Sequence, residues 1–359
     1  MYVTDNGYIP RMRVGIIGTG AIAHKHAAAY RNIGYDLTVC TNRGEESGRR
    51  FAAQYGCEFV PSYEQVCRDP HLDFVDVCAF PDFRLQPLRI CAEAGRHIQV
   101  QKPIATNLAT AREMVETARR AGILLHVVSQ HRFDDSVQFL KRAIAAGRLG
   151  RILQADAYVK WYRPPDYYSR PGKGSWQTEG GGALINQAIH QVDILLFLAG
   201  AVAAVFGAWQ IGALQAIESE DVVSAVLRYA SGATGVIQAS TAFWPGYSER
   251  VEIHGANGTA IITGDKLTTW DVQGQVQNDA GEPAPLARGV SSGASDPMAI
   301  TLAPFERQFL DFGEAIRSGR QPCSSGEEGC RALELVTSVY QSCREGRRIT
   351  LNEGPRTND

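Results

Sequence analysis

The sequence predicts an α/β Rossmann domain with a doubly wound parallel sheet, then an α+β domain on an open, mainly antiparallel sheet, divided as residues 1–129 and 130–359. Three observations carry this. A glycine turn, Gly18-Thr19-Gly20-Ala21-Ile22-Ala23, joins an apolar run to a helical one. Short apolar strands then alternate with helical segments as far as Val128, and from about Gly150 period-two strand patterns take over.

A chain of 359 residues suits two domains, and its 44% hydrophobic and 21% charged residues are those of a soluble globular protein. A net charge of −2 gives no reason to expect nucleic acid or an anionic membrane as partner. No apolar run has bilayer length, and the N-terminus lacks the basic-then-apolar order of a signal peptide. The 8 cysteines are scattered without a CxxC pair, so reduced thiols and a cytoplasmic location are expected, with no disulfide framework and no metal site.

Arg13–Ile17 reads as the first strand and His24–Ile33 as the first helix. Gly18 permits the tight turn, Gly20 lets a pyrophosphate approach the backbone, and Ala23 packs helix on strand. Gly18, Thr19, Gly20, Ala21 and Ile22 are therefore expected at the cofactor phosphates, which helix N-termini favour. The second strand, Leu37–Thr41, ends in Asn42-Arg43, where an NAD-preferring fold usually places an acid. Losing the carboxylate removes repulsion of a 2′-phosphate, and Arg43 is able to pair with one. The cofactor is NAD or NADP, with a lean to NADP.

Helices follow at about 44–55, from Ser62, at Arg84–Ala94 and at Ala105–Ala121. Between them lie strands at Glu58–Val60, Phe74–Cys78, His97–Gln101 and Leu124–Val128. Carboxyl ends of such strands face the ligand crevice, which places Phe80, Gln101 and Lys102 with the cofactor. Lys102, followed by Pro103, is the candidate catalytic lysine.

Gly180-Gly-Gly182 leads into a run read as a helix ending near Gly200. At about 100° per residue, Asn186, His190 and Asp193 fall on one stripe beside a core-facing surface. A histidine with polar partners one turn away on each side marks a candidate site.

The GxGxxA turn, the Lys-Pro after the fifth strand and the GGGxLxxxxxH helix together resemble the Gfo/Idh/MocA oxidoreductase family. Gln130-His131-Arg132-Phe133, Arg148-Leu-Gly-Arg151, Gly326-Glu-Glu-Gly329 and Gly346-Arg-Arg-Ile349 extend the resemblance over nearly the whole chain. The resemblance implies that Lys102 sits beside the nicotinamide and the reacting hydroxyl, and that His190 is the acid–base residue. It also implies that Asn186 positions substrate. Two departures replace acids by amides: the usual Glu before Lys-Pro is Gln101, and an Asp is commonly found at Asn186. Both should lower the pKa values of Lys102 and His190. Arg84 stands where the family often has a His. Arg132 is taken as a further substrate contact.

In the second domain strands are expected at Ile152–Trp161, Ala204–Ile211, Asp221–Tyr229, Thr234–Ser240, Arg250–Ile253 and Thr259–Ile262. Ser231-Gly232 is a hairpin turn. One face of this sheet would be exposed unless covered, and such faces in the family bury against another subunit, so a homodimer or homotetramer is expected. Residues 160–176 are rich in aromatic and basic side chains. Tyr162, Arg163 and Trp176 are expected to touch substrate, since aromatic faces suit sugar C–H faces and arginines suit carboxylates. This tract resembles that of family members acting on sugar-nucleotide uronic acids. Residues 274–303 read as a surface excursion, and Pro304–Ser318 and Glu328–Arg344 as helices completing the second domain.

The function expected is hydride transfer between a secondary hydroxyl of a sugar, sugar acid or cyclic polyol and NAD(P). The alternatives are a glycosidase or eliminase with transient oxidation and no net redox change, or a non-enzymatic cofactor-sensing regulator.

Overall fold

The computed structural model describes residues 11–274 and 301–351, so the excursion read at 274–303 lies almost wholly outside them. The chain divides into two compact units. The first runs to Gln130 and includes Thr301–Leu333, while the second begins at His131 and resumes at Glu334.

The first unit alternates strand and helix in this order: β1 (Arg13–Ile17), α1 (Ala21–Ile33), β2 (Asp36–Thr41), α2 (Glu45–Tyr55), β3 (Glu58–Phe59), α3 (Tyr63–Arg68), β4 (Phe74–Val77), α4 (Leu85–Glu93), β5 (His97–Val100), α5 (Leu108–Ala121) and β6 (Leu125–Val127). The strands form one parallel sheet in the order β3-β2-β1-β4-β5-β6. All four residues of β4 are buried, as expected of a sheet covered on both faces. The strand order reverses between β1 and β4, and ligands of open α/β sheets bind at that switch point.

Three elements close the chain: α8 (Ala303–Ser318), α9 (Gly326–Glu345) and a short strand (Ile349–Thr350). The expectation that the helix at 304–318 completes the second domain is corrected. α8 carries Phe305, Phe309 and Phe312 on one face, and these pack on His26, Tyr30, Phe74 and His126 of the first unit. An aromatic stripe at helical spacing goes where rings await it, whatever its place in the sequence. α9 is divided between the units at Leu333/Glu334.

The second unit contains α6 (Asp135–Ala145), β7 (Ile152–Lys160), α7 (Ile189–Ala199), β8 (Val202–Ile211), β9 (Glu220–Tyr229), β10 (Thr234–Ser240), β11 (Arg250–Gly255), β12 (Gly258–Thr263) and β13 (Lys266–Val272). With Ile349–Thr350 as β14, they form an eight-stranded sheet in the order β13-β12-β11-β7-β10-β9-β8-β14. Only β7 and β10 pair parallel. β9 alternates from Val223 onward: Val223, Ala225, Leu227 and Tyr229 are buried, while Ser224, Val226 and Arg228 are exposed. Ser231-Gly232 makes the β9–β10 turn, with Gly232 left-handed at φ +89°. β13 and β14 had no counterpart in the sequence reading.

The glycine-led helix is not one continuous α-helix. Leu184–Ala188 form a π-helical turn before α7 begins at Ile189. Its first amides are drawn to side chains instead: Gly182 and Leu184 each donate to the Glu220 carboxylate at 2.8 Å, and Ile185 to the Tyr340 hydroxyl at 3.2 Å. The α period that aligned Asn186 with His190 therefore does not hold through this turn.

Candidate active site

In the first unit the glycine turn leaves β1 at the switch point. Gly18 adopts φ +91°, and a side chain there would meet the Ala79 amide nitrogen at 3.1 Å. Gly20 faces open space and N-caps α1. The buried Thr19 hydroxyl has no hydrogen-bond partner among the described residues. An open glycine, an orphaned hydroxyl and a helix N-terminus fit the phosphates of a dinucleotide. Ala21 is exposed and Ile22 half-buried at the start of the helix. Phe80 is 45% exposed just past β4.

Asn42 closes the turn from the β2 side. Its Oδ1 accepts the Thr19 amide at 3.2 Å, while Nδ2 donates to the Gly44 carbonyl and the Ser47 hydroxyl. The Asn42 side chain thus shapes the turn, and Arg43 beside it is exposed.

Lys102 follows β5 and is half-buried. Its amide donates to Gln101 Oε1 at 3.2 Å. That leaves Gln101 Nε2 to meet His26 Nε2 at 2.7 Å, which puts the ring proton on Nδ1, facing Asp76 Oδ2 at 2.6 Å. Tyr30 donates to the same oxygen at 2.7 Å and receives Gln99 Nε2 at 2.9 Å. Burial pushes the Asp76 carboxyl upward, but His26, Gln99 and Tyr30 outweigh it and leave it below its ordinary value. Gln101 is buried, so what it offers a cofactor is the placement of its neighbour Lys102.

In the second unit His190 is half-buried on α7, and its ring lies edge-on to His131 at 4.9 Å and 83°. His131 Nδ1 pairs with Asp134 at 2.7 Å. Burial works against a charged His131, but Asp134 prevails and raises its pKa. Asn186 Nδ2 donates to Glu179 Oε2 and to the Gly181 carbonyl, both at 3.2 Å. Glu179 is 3% exposed and also receives the Gly174 amide at 2.8 Å and Lys173 Nζ at 2.5 Å. Gln187 and Lys173 both reach the Tyr167 hydroxyl, at 3.1 and 3.4 Å.

Both amides that replace acids therefore stand in front of a buried carboxylate: Gln101 before Asp76, through His26, and Asn186 before Glu179.

Two expected substrate contacts, Arg132 and Arg163, are corrected. Arg132 is 1% exposed and bonded to Asp193 through two parallel hydrogen bonds. Arg163 is 2% exposed, stacked over Trp161 and Tyr167, and donates to the Tyr162 carbonyl. Trp176 donates its indole N–H to the Glu218 carbonyl and packs on Tyr340, Trp209 and Arg344. Arg132 and Arg163 build the unit instead of facing a ligand, whereas Trp176 stays half-buried. Tyr162 is half-buried, edge-on to Trp244, which is itself 75% exposed. His26, Asp76, Glu179, Glu220 and His131 went unassigned in the sequence. His26, Asp76 and Glu220 find their partners tens of residues away, whereas Glu179 and His131 pair locally, and only His131 sat inside a quoted motif.

A dinucleotide turn at a parallel-sheet switch point, with a lysine at the carboxyl end of β5, defines a nicotinamide-dependent oxidoreductase. The comparisons agree. Residues 12–129 match the oxidoreductase family, NAD-binding Rossmann fold, and residues 137–261 match the GFO/IDH/MocA C-terminal domain. The chain belongs to the Gfo/Idh/MocA oxidoreductase family. It is 28% identical over 354 residues to the myo-inositol 2-dehydrogenase of Thermotoga maritima, covering 95% of this chain and 99% of that one. It is 29% identical over 350 residues to the 1,5-anhydro-D-fructose reductase of Ensifer adhaerens, covering 95% and 99%. The WlbA dehydrogenase of Bordetella pertussis, solved with NADH and UDP-GlcNAcA, superposes with a TM-score of 0.84 at 28% identity, covering 96% of this chain and 100% of that one. No helix among the described residues is long and apolar enough to cross a membrane, and none of the eight cysteines forms a disulfide.

Proposed function

We propose that the chain oxidises a secondary hydroxyl of a sugar, sugar acid or cyclic polyol, or runs the reverse reduction. The observation that carries this is Lys102 at the carboxyl end of β5, in the unit that holds the Gly18–Ala23 turn. When bound, the nicotinamide accepts or returns the hydride. Gly18, Thr19, Gly20, Ala21 and Ile22 hold its phosphates, Asn42 keeps their turn closed, and Phe80 and Lys102 stand further along the same strand ends. Lys102 polarises the reacting oxygen and stabilises negative charge developing on it. His190 takes the hydroxyl proton, a role typically worth ~10²–10⁴-fold. Asn186 and Tyr162 bind hydroxyl groups and ring faces of the substrate.

NADP is accepted as well as NAD, because the β2 end offers Arg43 and no carboxylate to repel a 2′-phosphate. A second copy of the chain covers the outer face of the eight-stranded sheet. There Phe206 and Val226 pair across β8 and β9 while 50% and 56% exposed. That none of the eight cysteines forms a disulfide supports a cytoplasmic location.

The test is reduction of NAD⁺ and NADP⁺ against inositols, aldoses, anhydrosugars, uronic acids and a nucleotide-linked uronic acid. Steady cofactor reduction with at least one class supports the reading. Cofactor binding with no reduction by any class counts against it.

A further inference from the structure

We propose that Arg84 is a positioning residue for Lys102, locking the turn on which that lysine stands; the proposal rests on Lys102 having the catalytic role given above. Arg84 N-caps α4 and is 3% exposed. Among the described residues, every hydrogen bond of its guanidinium goes to a main-chain carbonyl. Nε and Nη2 share the Ala79 carbonyl, at 3.0 and 2.9 Å, just beyond β4. Nη1 reaches the carbonyls of both Gln101 and Pro103.

Those two carbonyls flank Lys102, and the Lys102 amide is itself taken by the Gln101 side chain. Gln101 is held in turn by His26. The main chain around Lys102 is thus held by three hydrogen bonds. Burying a guanidinium without an acid hydrogen-bonded to it is unfavourable, and a tether for a loop would not require it. Burial pulls Arg84 down to about 9, opposed by Cys78, Asp82 and Asp76, which are the titratable groups facing it. A permanent cation is spent where the reacting lysine must be held still, and the geometry of near attack depends on such placement.

The test compares Arg84→Met, Arg84→Lys and Lys102→Ala in the full-length protein. NADH affinity, kcat on the best substrate and amide exchange over residues 101–104 are measured for each. In Arg84→Met, kcat is expected to fall roughly 100-fold with NADH affinity within about twofold of wild type. Exchange at Gln101, Lys102 and Ile104 should rise while exchange in β1 and β4 does not. Arg84→Lys can still donate to two carbonyls and should recover at least about a tenth of wild-type kcat, which keeps the proposal testable if Arg84→Met does not fold. Unchanged exchange over this stretch, or an Arg84→Met kcat within about threefold of wild type, overturns the proposal. Lys102→Ala separates the two readings. If it turns over normally, the catalytic role of Lys102 fails, and the exchange data still decide whether Arg84 holds the turn.

Discussion

Arg132 and Asp193 form a buried, two-pronged ion pair, with Nε to Oδ2 at 2.7 Å and Nη2 to Oδ1 at 2.6 Å. It ties the 3₁₀ turn at Gln130–Phe133 to the middle of α7, one turn past His190. Removing one partner leaves a buried charge uncompensated. Asp193→Ala should cost about 3–5 kcal/mol of stability in the second unit. All 5 tryptophans lie in that unit, so their fluorescence in a urea titration reports it selectively. NADH affinity should not change.

Glu220 gives a pH signature. It is buried, and burial raises its carboxyl from 4.5 to about 7 despite hydrogen bonds from Leu184, Tyr340 and Gly182. Because the folded value lies above the unfolded one, the fold binds more protons than the unfolded chain between those pH values. The stability Glu220 contributes is complete below pH 4.5 and is lost as pH rises through about 7. The stability difference between wild type and Glu220→Gln should therefore change by roughly 3 kcal/mol across that window, the wild type losing ground as pH rises. A pH-independent difference would contradict this.

Gly182 is required by space. A Cβ there would lie 1.9 Å from the Glu220 carbonyl oxygen, within a strand that cannot retreat. Gly182→Ala should displace the π turn and cost about 1–3 kcal/mol or more. Thermal unfolding and activity should both register it, whereas Gly200→Ala, which meets nothing within 4 Å but sits at φ +87°, tests backbone strain alone.

Cofactor choice turns on Arg43. Arg43→Ala should raise the Kd for NADPH about 10-fold and leave NADH within twofold, since a charge-assisted bond contributes about 1.5–3 kcal/mol. Fluorescence titration with each nucleotide measures it.

The alternation of strands and helices in the first unit and the glycine turn were legible because periodicity and a fixed spacing encode them locally. Two things were not. The sequence position of α8 said nothing of its aromatic stripe's partners, which lie far earlier in the chain, on α1, β4 and β6. The substrate loop was read from composition, yet Arg163 is buried in the unit, stacked on Trp161 and Tyr167. Residue type announces what a side chain is able to bind, and burial decides whether a ligand ever meets it. The Gln101–His26–Asp76 chain was hidden for the same reason, being assembled from β5, α1 and β4.

The account stands most directly on Lys102→Ala, assayed for cofactor reduction with the best sugar or polyol beside an NADH titration. It predicts that NADH affinity is retained while turnover falls by at least ~10³-fold. Turnover at the wild-type rate in that variant would contradict it.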